Sequence, residues 1–177
     1  MSNTIETFED FKLNRQILNA IDEEGYKIPT EIQKKAIPMI NAGHDVLGVA
    51  QTGTGKTAAF VLPILMKVKY HQANGPRAVI MTPTRELAIQ IRDHIAKFCT
   101  YLDIKYAAIY GGGGTKVQKE SLLGGVDLLV ATPGRFMDFY REGLFPTKYI
   151  KTLVLDEADK MMDMGFMPQL RRLLEII

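Results

Sequence analysis

The chain has 177 residues, 46% of them hydrophobic, which suffices for one domain with a substantial core and is too short for two such domains. A formal net charge of +2 gives no bulk electrostatic signature of nucleic acid, so any such binding must come from local arrangement. The single cysteine excludes an intrachain disulfide, no apolar run approaches membrane-spanning length, and the N-terminus lacks a signal-peptide pattern. A soluble, intracellular, cytoplasmic protein with no membrane partner is expected.

Phe8 and Phe11 come first, followed by an amphipathic run from Leu13 to Glu24 whose apolar face carries Ile17, Leu18 and Ile21. Gly25 stops that helix. Thr30 with Gln33 three residues on is a capping box opening a helix through Ile40. Val46-Leu47-Gly48-Val49 reads as a short strand. It leads into Ala50-Gln51-Thr52-Gly53-Thr54-Gly55-Lys56-Thr57 and then a helical run from Ala58 to Val68. Ala78 to Thr82 reads as a buried strand running into Pro83-Thr84-Arg85-Glu86-Leu87-Ala88, which opens a helix to about Phe98. Cys99 follows as a small buried apolar residue. Ile104 to Tyr110 is the next strand, Gly111 to Gly114 a glycine turn, and Thr115 to Leu123 a helix. Asp127 to Ala131 is a strand, followed by a helix with Thr132 as N-cap and Pro133 at its first position. Thr152 to Leu155 is the last strand and ends at Asp156-Glu157-Ala158-Asp159, and Met167 to Ile177 is helical. Strands that are continuous apolar runs, alternating with helices, argue for a mostly parallel sheet with helices on both faces. In such sheets ligands bind beyond the carboxyl ends of the strands, where these turns should collect along one edge.

Strand, glycine-rich turn and helix form the setting of a phosphate-binding loop. Gly53 and Gly55 let the backbone curl so that N–H groups point at one anion, and the helix adds its positive dipole end. Lys56 supplies a mobile charge for the β- and γ-phosphates, and Thr57 a hydroxyl for Mg²⁺. Asp156, at a strand end, suits Mg²⁺ held through water, and Glu157 suits polarisation of the attacking water; the bland alternative is a solvated acidic strand end. Gln33 has two readings, a helix cap or an amide that pairs with adenine N6 and N7. Thr84 and Thr132, with Arg85 and Arg135, are either ordinary caps with solvated arginines or phosphate contacts. The glycine turn is either plain or a place of close backbone approach. His44, His71 and His94 have no metal-ligand spacing.

Together these residues resemble the DEAD-box RNA helicases. Gly25 to Gln33, with Phe8 upstream, resembles the adenine-sensing Q motif; A-Q-T-G-T-G-K-T resembles motif I, P-T-R-E-L-A motif Ia, Tyr110-Gly111-Gly112 the glycine doublet, T-P-G-R motif Ib, and D-E-A-D at Asp156 to Asp159 motif II. The resemblance implies a three-layer RecA-like α/β domain over residues 25–177, preceded by an N-terminal helix and aromatic residue in 1–24. It implies ATP held by Phe8, Lys27, Gln33, Gln51, Thr52, Gly53, Thr54, Gly55, Lys56 and Thr57, and Mg²⁺ at Thr57 and Asp156. Catalysis would rest on Lys56, Asp156 and Glu157. The RNA backbone would meet Pro83, Thr84, Arg85, Gly111, Gly112, Thr132, Pro133, Gly134 and Arg135. The activity implied is RNA-stimulated ATP hydrolysis that remodels short RNA duplexes.

Two departures stand out. Glu31 occupies a position where the family has proline, and the Ser-Ala-Thr motif III expected beyond Ile177 is absent, as is a second RecA-like domain with its arginine fingers. The chain therefore reads as a piece cut from a longer protein, monomeric and nearly inactive alone. Competing readings are a DNA-directed P-loop translocase and a nucleotide-responsive RNA-binding module with vestigial catalysis.

Overall fold

The computed structural model describes residues 5–51, 53–68 and 75–177. The chain divides into two compact units, one of Met1–Lys69 with His94–Asp103, the other of Tyr70–Asp93 with Ile104–Ile177.

In the first unit a 3₁₀ turn, Phe8–Phe11, precedes helix α1, Arg15–Glu23. Asn14 caps α1, its side-chain oxygen accepting from the Ile17 N–H at 2.8 Å. Ile17, Ala20 and Ile21 are buried, the three-and-four spacing of one helical face. Helices α2 (Glu31–Asn41) and α3 (Lys56–Lys67) pack against each other. Tyr26 meets the Phe98 ring edge-on at 5.4 Å. Cys99 is buried as expected, and burial pushes its thiol up to about 11.

The second unit holds a sheet of four parallel strands, β1 (Ala78–Met81), β2 (Tyr106–Ile109), β3 (Leu128–Ala131) and β4 (Thr152–Leu155), in the order β2-β3-β1-β4. Every residue of β1 and β3 is buried, so both faces of these central strands are covered. On one face Val79, Met81, Leu129 and Ala131 share a core with residues of helices α6 (Pro133–Arg141), α7 (Ala158–Asp163) and α8 (Met167–Ile176), among them Phe136, Phe139, Met161 and Leu173. Helix α4 spans Arg85–Phe98. Helix α5, Thr115–Glu120, stops three residues earlier than the sequence suggests, because the chain turns before Gly124 and Gly125. Among the described residues no helix is long and apolar enough to cross a membrane.

One predicted strand is absent. Val46 to Val49 has no strand structure, and Leu47 and Val49 are 94% and 91% exposed. An apolar run becomes a strand only when a neighbour completes its ladder, and four residues including a glycine carry little strand preference of their own.

At the start of the sheet a buried ion pair ties three strands together. Asp127, fully buried before β3, accepts from Arg77 Nη2 at 2.8 Å and from the Lys105 N–H at 3.0 Å. Arg77 and Lys105 precede β1 and β2. Breaking such a pair from one side is costly because it strips the remaining charge of its counter-charge. Asp127→Ala should therefore lower the unfolding free energy by about 3 kcal/mol in urea titration, toward the lower end for buried pairs because Arg77 keeps some solvent contact.

Candidate nucleotide and nucleic-acid site

The phosphate loop keeps its turn and its helix although its leading strand is absent. Gly53 and Gly55 have φ of +84° and +85°, and Gly55 is the N-cap of α3. The Thr54 hydroxyl donates to the Gln51 carbonyl at 2.7 Å, bracing the turn. Lys56 and Thr57 open α3, half-buried, at the end where free N–H groups and the helix dipole favour an anion. Thr52, assigned to the same loop, lies outside the described residues.

Gln33 makes the capping contact, one of the two readings left open by its sequence position. It is 1% exposed, and its Oε1 accepts from the Thr30 N–H at 2.9 Å, the capping-box contact. Its Nε2 donates to the Gly55 carbonyl at 3.1 Å, tying the amide to the phosphate loop. A Cβ placed on Gly55 would lie 2.4 Å from that Nε2. Both polar ends of Gln33 are thus engaged, and recognition of a base edge would require exchanging these partners.

Phe8 and Lys27, also assigned to ATP, lie elsewhere in this unit. Phe8 is 4% exposed, its ring edge-on to Phe11 at 5.7 Å and to Tyr26 at 6.0 Å. Phe8 and Lys27 line a cavity of about 490 Å³ with Arg15, Asp22 and Tyr26, and Lys27 pairs with Asp22. Gln33 is not part of that lining.

In the second unit parallel pairing gathers the remaining candidates at the carboxyl ends of β1 to β4. Pro83 is buried, Thr84 accepts from the Leu87 N–H at 3.3 Å as a cap of α4, and Arg85 is exposed. The Arg85 guanidinium lies 5.3 Å from the Tyr110 ring centroid, and its Nη1 donates to the Gly112 carbonyl at 3.4 Å. Thr132 holds the N-cap position of α6 and Pro133 its first turn, as the sequence suggests, but the hydroxyl does not cap the helix. It accepts instead from the Gly111 N–H at 3.3 Å, because the glycine turn brings a donor within reach. Gly134 is half-buried, and the Arg135 guanidinium lies 5.1 Å from the Phe139 ring centroid with Nη1 buried and without a partner among the described residues.

Asp156 continues the ladder, its N–H donating to the Met81 carbonyl at 2.9 Å. Glu157 then adopts φ 53° and ψ 49°, the left-handed region that a residue with a Cβ rarely occupies. Such strain, of order 1 kcal/mol or more, concentrates at functional sites. It turns the chain from β4 into α7 and leaves the Glu157 carboxylate only loosely paired, 3.7 Å from Lys160 Nζ. Sequence pattern missed this strain and the buried Gln118 described below. Among the described residues no group of three or more histidine, cysteine, aspartate or glutamate side chains could hold a metal ion. Gly55→Ala should cut ADP affinity about tenfold or more in calorimetric titration, since alanine resists this φ and its Cβ would displace Gln33.

Comparison with known proteins agrees with this layout. Residues 30–177 match the DEAD/DEAH box helicase family. The chain is 40% identical over 174 residues to an ATP-dependent RNA helicase DBP2 of Encephalitozoon cuniculi, covering 96% of this chain and 35% of that protein. It is 44% identical over 173 residues to an ATP-dependent RNA helicase RhlB of Idiomarina loihiensis, covering 95% and 41%. A crystal structure described as a hypothetical ATP-dependent RNA helicase from Sulfolobus tokodaii superposes with a TM-score of 0.85 at 38% identity, over 93% of this chain and 47% of that one. The chain thus spans less than half the length of these relatives, and its fold is the α/β, RecA-like one expected. With its motifs in order and the family matched from Thr30 to Ile177, the chain belongs to the DEAD/DEAH box helicases.

Proposed function

We infer that this chain is the ATP-binding part of an ATP-dependent RNA helicase, one that hydrolyses ATP on RNA binding to separate short duplexes. The observation that carries the reading is the contact of Gln33 Nε2 with the Gly55 carbonyl, which ties an amide of the kind that can read adenine to the glycine-rich loop. Adenine would take the amide and the phosphates would take the loop, so occupation of one is felt by the other. The names of the relatives, all ATP-dependent RNA helicases, support the same reading.

The residues present fit a nucleotide with Mg²⁺. In the first unit the Gly53 and Gly55 backbone forms a cradle at a helix N-terminus and Thr57 offers a hydroxyl oxygen; in the second, Asp156 offers a carboxylate; both are oxygen groups of the kind Mg²⁺ prefers. When bound, Mg²⁺ would neutralise charge on the β- and γ-phosphates. Lys56 would add a second positive charge at the transferring group. Glu157, held in its strained turn, would accept a hydrogen bond from the attacking water and orient it.

RNA would lie against the carboxyl edge of the sheet in the second unit. Backbone N–H groups, threonine hydroxyls and arginines dominate there, and these meet phosphates and riboses, which gives binding with little sequence preference. A second RecA-like domain would complete the RNA site and supply arginine fingers, worth about 10³–10⁵ in rate. The 177 residues alone should therefore hydrolyse ATP very slowly and unwind nothing.

Calorimetric titration with Mg-ADP and Mg-GDP tests the base assignment. Selective ADP binding that is lost in Gln33→Ala supports it; equal binding of both nucleotides rejects it. In the two-domain protein, Glu157→Gln should lower RNA-stimulated ATP turnover by about 10²–10⁴-fold while leaving ATP affinity within about twofold. Turnover that survives this change would remove Glu157 from the chemistry.

A further inference from the structure

Gln118 is buried, 6% exposed, on a short helix whose neighbouring side chains are mostly solvated. Its Oε1 accepts from the Tyr110 N–H at 2.8 Å. That contact sets the orientation of the amide, since only the oxygen can accept from a backbone N–H. The Nε2 is then buried with no partner among the described residues, a penalty that an apolar side chain of equal size would avoid. What the amide contributes is therefore its grip on Tyr110.

Tyr110 leads from β2 into the glycine turn. A Cβ on Gly113 would lie 2.7 Å from Gln118 Nε2 and 2.8 Å from Tyr110 Cε2, so the turn wraps closely round the tyrosine ring and the amide together. Arg85 covers the ring and grips the Gly112 carbonyl, while Thr132 takes the Gly111 N–H. These contacts engage the Tyr110 ring face and the N–H groups of Tyr110 and Gly111. The N–H groups of Gly112 and Gly113 have no partner among the described residues, and Gly112 is exposed with φ +73°. Consecutive free N–H groups in a tight turn make an anion-binding concavity.

We propose that Gln118 is a positioning residue for RNA binding. Through the Tyr110 N–H and the packing of Gly113, it holds the glycine turn so that the Gly112 and Gly113 N–H groups meet an RNA phosphate. This rests on the reading of the sheet edge as the RNA side. Gln118 does not touch RNA itself; it acts by ordering donors before the strand arrives, which lowers the cost of binding.

The test is ¹⁵N-detected titration of the 177-residue chain with a short oligouridylate, alongside Mg-ADP titration, for the unaltered chain, Gln118→Met and Gln118→Glu. Gln118→Met keeps the bulk and loses the acceptor; Gln118→Glu keeps it. The expected result is that the Gly111–Gly113 amides of the unaltered chain shift with RNA. Gln118→Met should then bind RNA about tenfold more weakly with ADP affinity unchanged, and Gln118→Glu should recover most of the loss. Equal RNA affinity in Gln118→Met, or parallel losses of RNA and ADP affinity, would overturn the proposal while leaving the RNA side in place. No response of the Gly111–Gly113 amides in the unaltered chain would overturn the RNA reading of this edge, and the proposal with it. If Gln118→Met does not fold, Gly113→Ala decides: its Cβ presses on the same two groups, and undiminished RNA binding would overturn the role of Gln118.

Discussion

Parallel pairing constrains everything at the candidate RNA edge. Because β1 to β4 run in one direction, each strand delivers the residue after its last at the same end of the sheet. Thr82 to Arg85, Tyr110 to Gly113, Thr132 to Arg135 and Asp156 to Glu157 become neighbours though they are spread over more than seventy residues of sequence. Hydrophobic burial of β1 and β3 on both faces maintains this alignment, and the Asp127 ion pair pins the opposite end. The chemistry at one end of the strands thus depends on packing and charge at the other.

Residues assigned to the candidate site also carry structural contacts. Gln33 caps α2 with its oxygen and holds the phosphate loop with its nitrogen, so its position before any nucleotide arrives is set by two hydrogen bonds rather than by solvent. Each such bond contributes on the order of 1 kcal/mol net, comparable to what a bidentate adenine contact would return. An exchange of these partners for an adenine edge would be close to balanced. Thr132 shows the same economy: standing at a helix start, it spends its hydroxyl on the glycine turn instead.

Backbone conformation marks the places where the chain is held away from its own preferences. Glu157 in the left-handed region and the close contact at Gly113 are both maintained by their surroundings, β4 and α7 in one case, Tyr110 and Gln118 in the other. The left-handed conformation of Glu157 is one an isolated peptide would rarely hold. Each presents outward groups, a carboxylate at Glu157 and N–H donors at Gly112 and Gly113, that a relaxed chain would not hold in place.

By itself the sequence determined the α/β class, the positions of β1 to β4 within a residue or two, the glycine-rich loop and α3, and the order of the motifs. These are local signals: apolar runs, capping residues and glycines act through neighbours a few positions away. Only the tertiary structure decided that Val46 to Val49 is not a strand, that the Thr132 hydroxyl turns to Gly111, that Gln33 reaches Gly55, and that Gln118 grips Tyr110. In each case the outcome depends on which distant group lies within hydrogen-bonding distance, and local spacing carries no information about that.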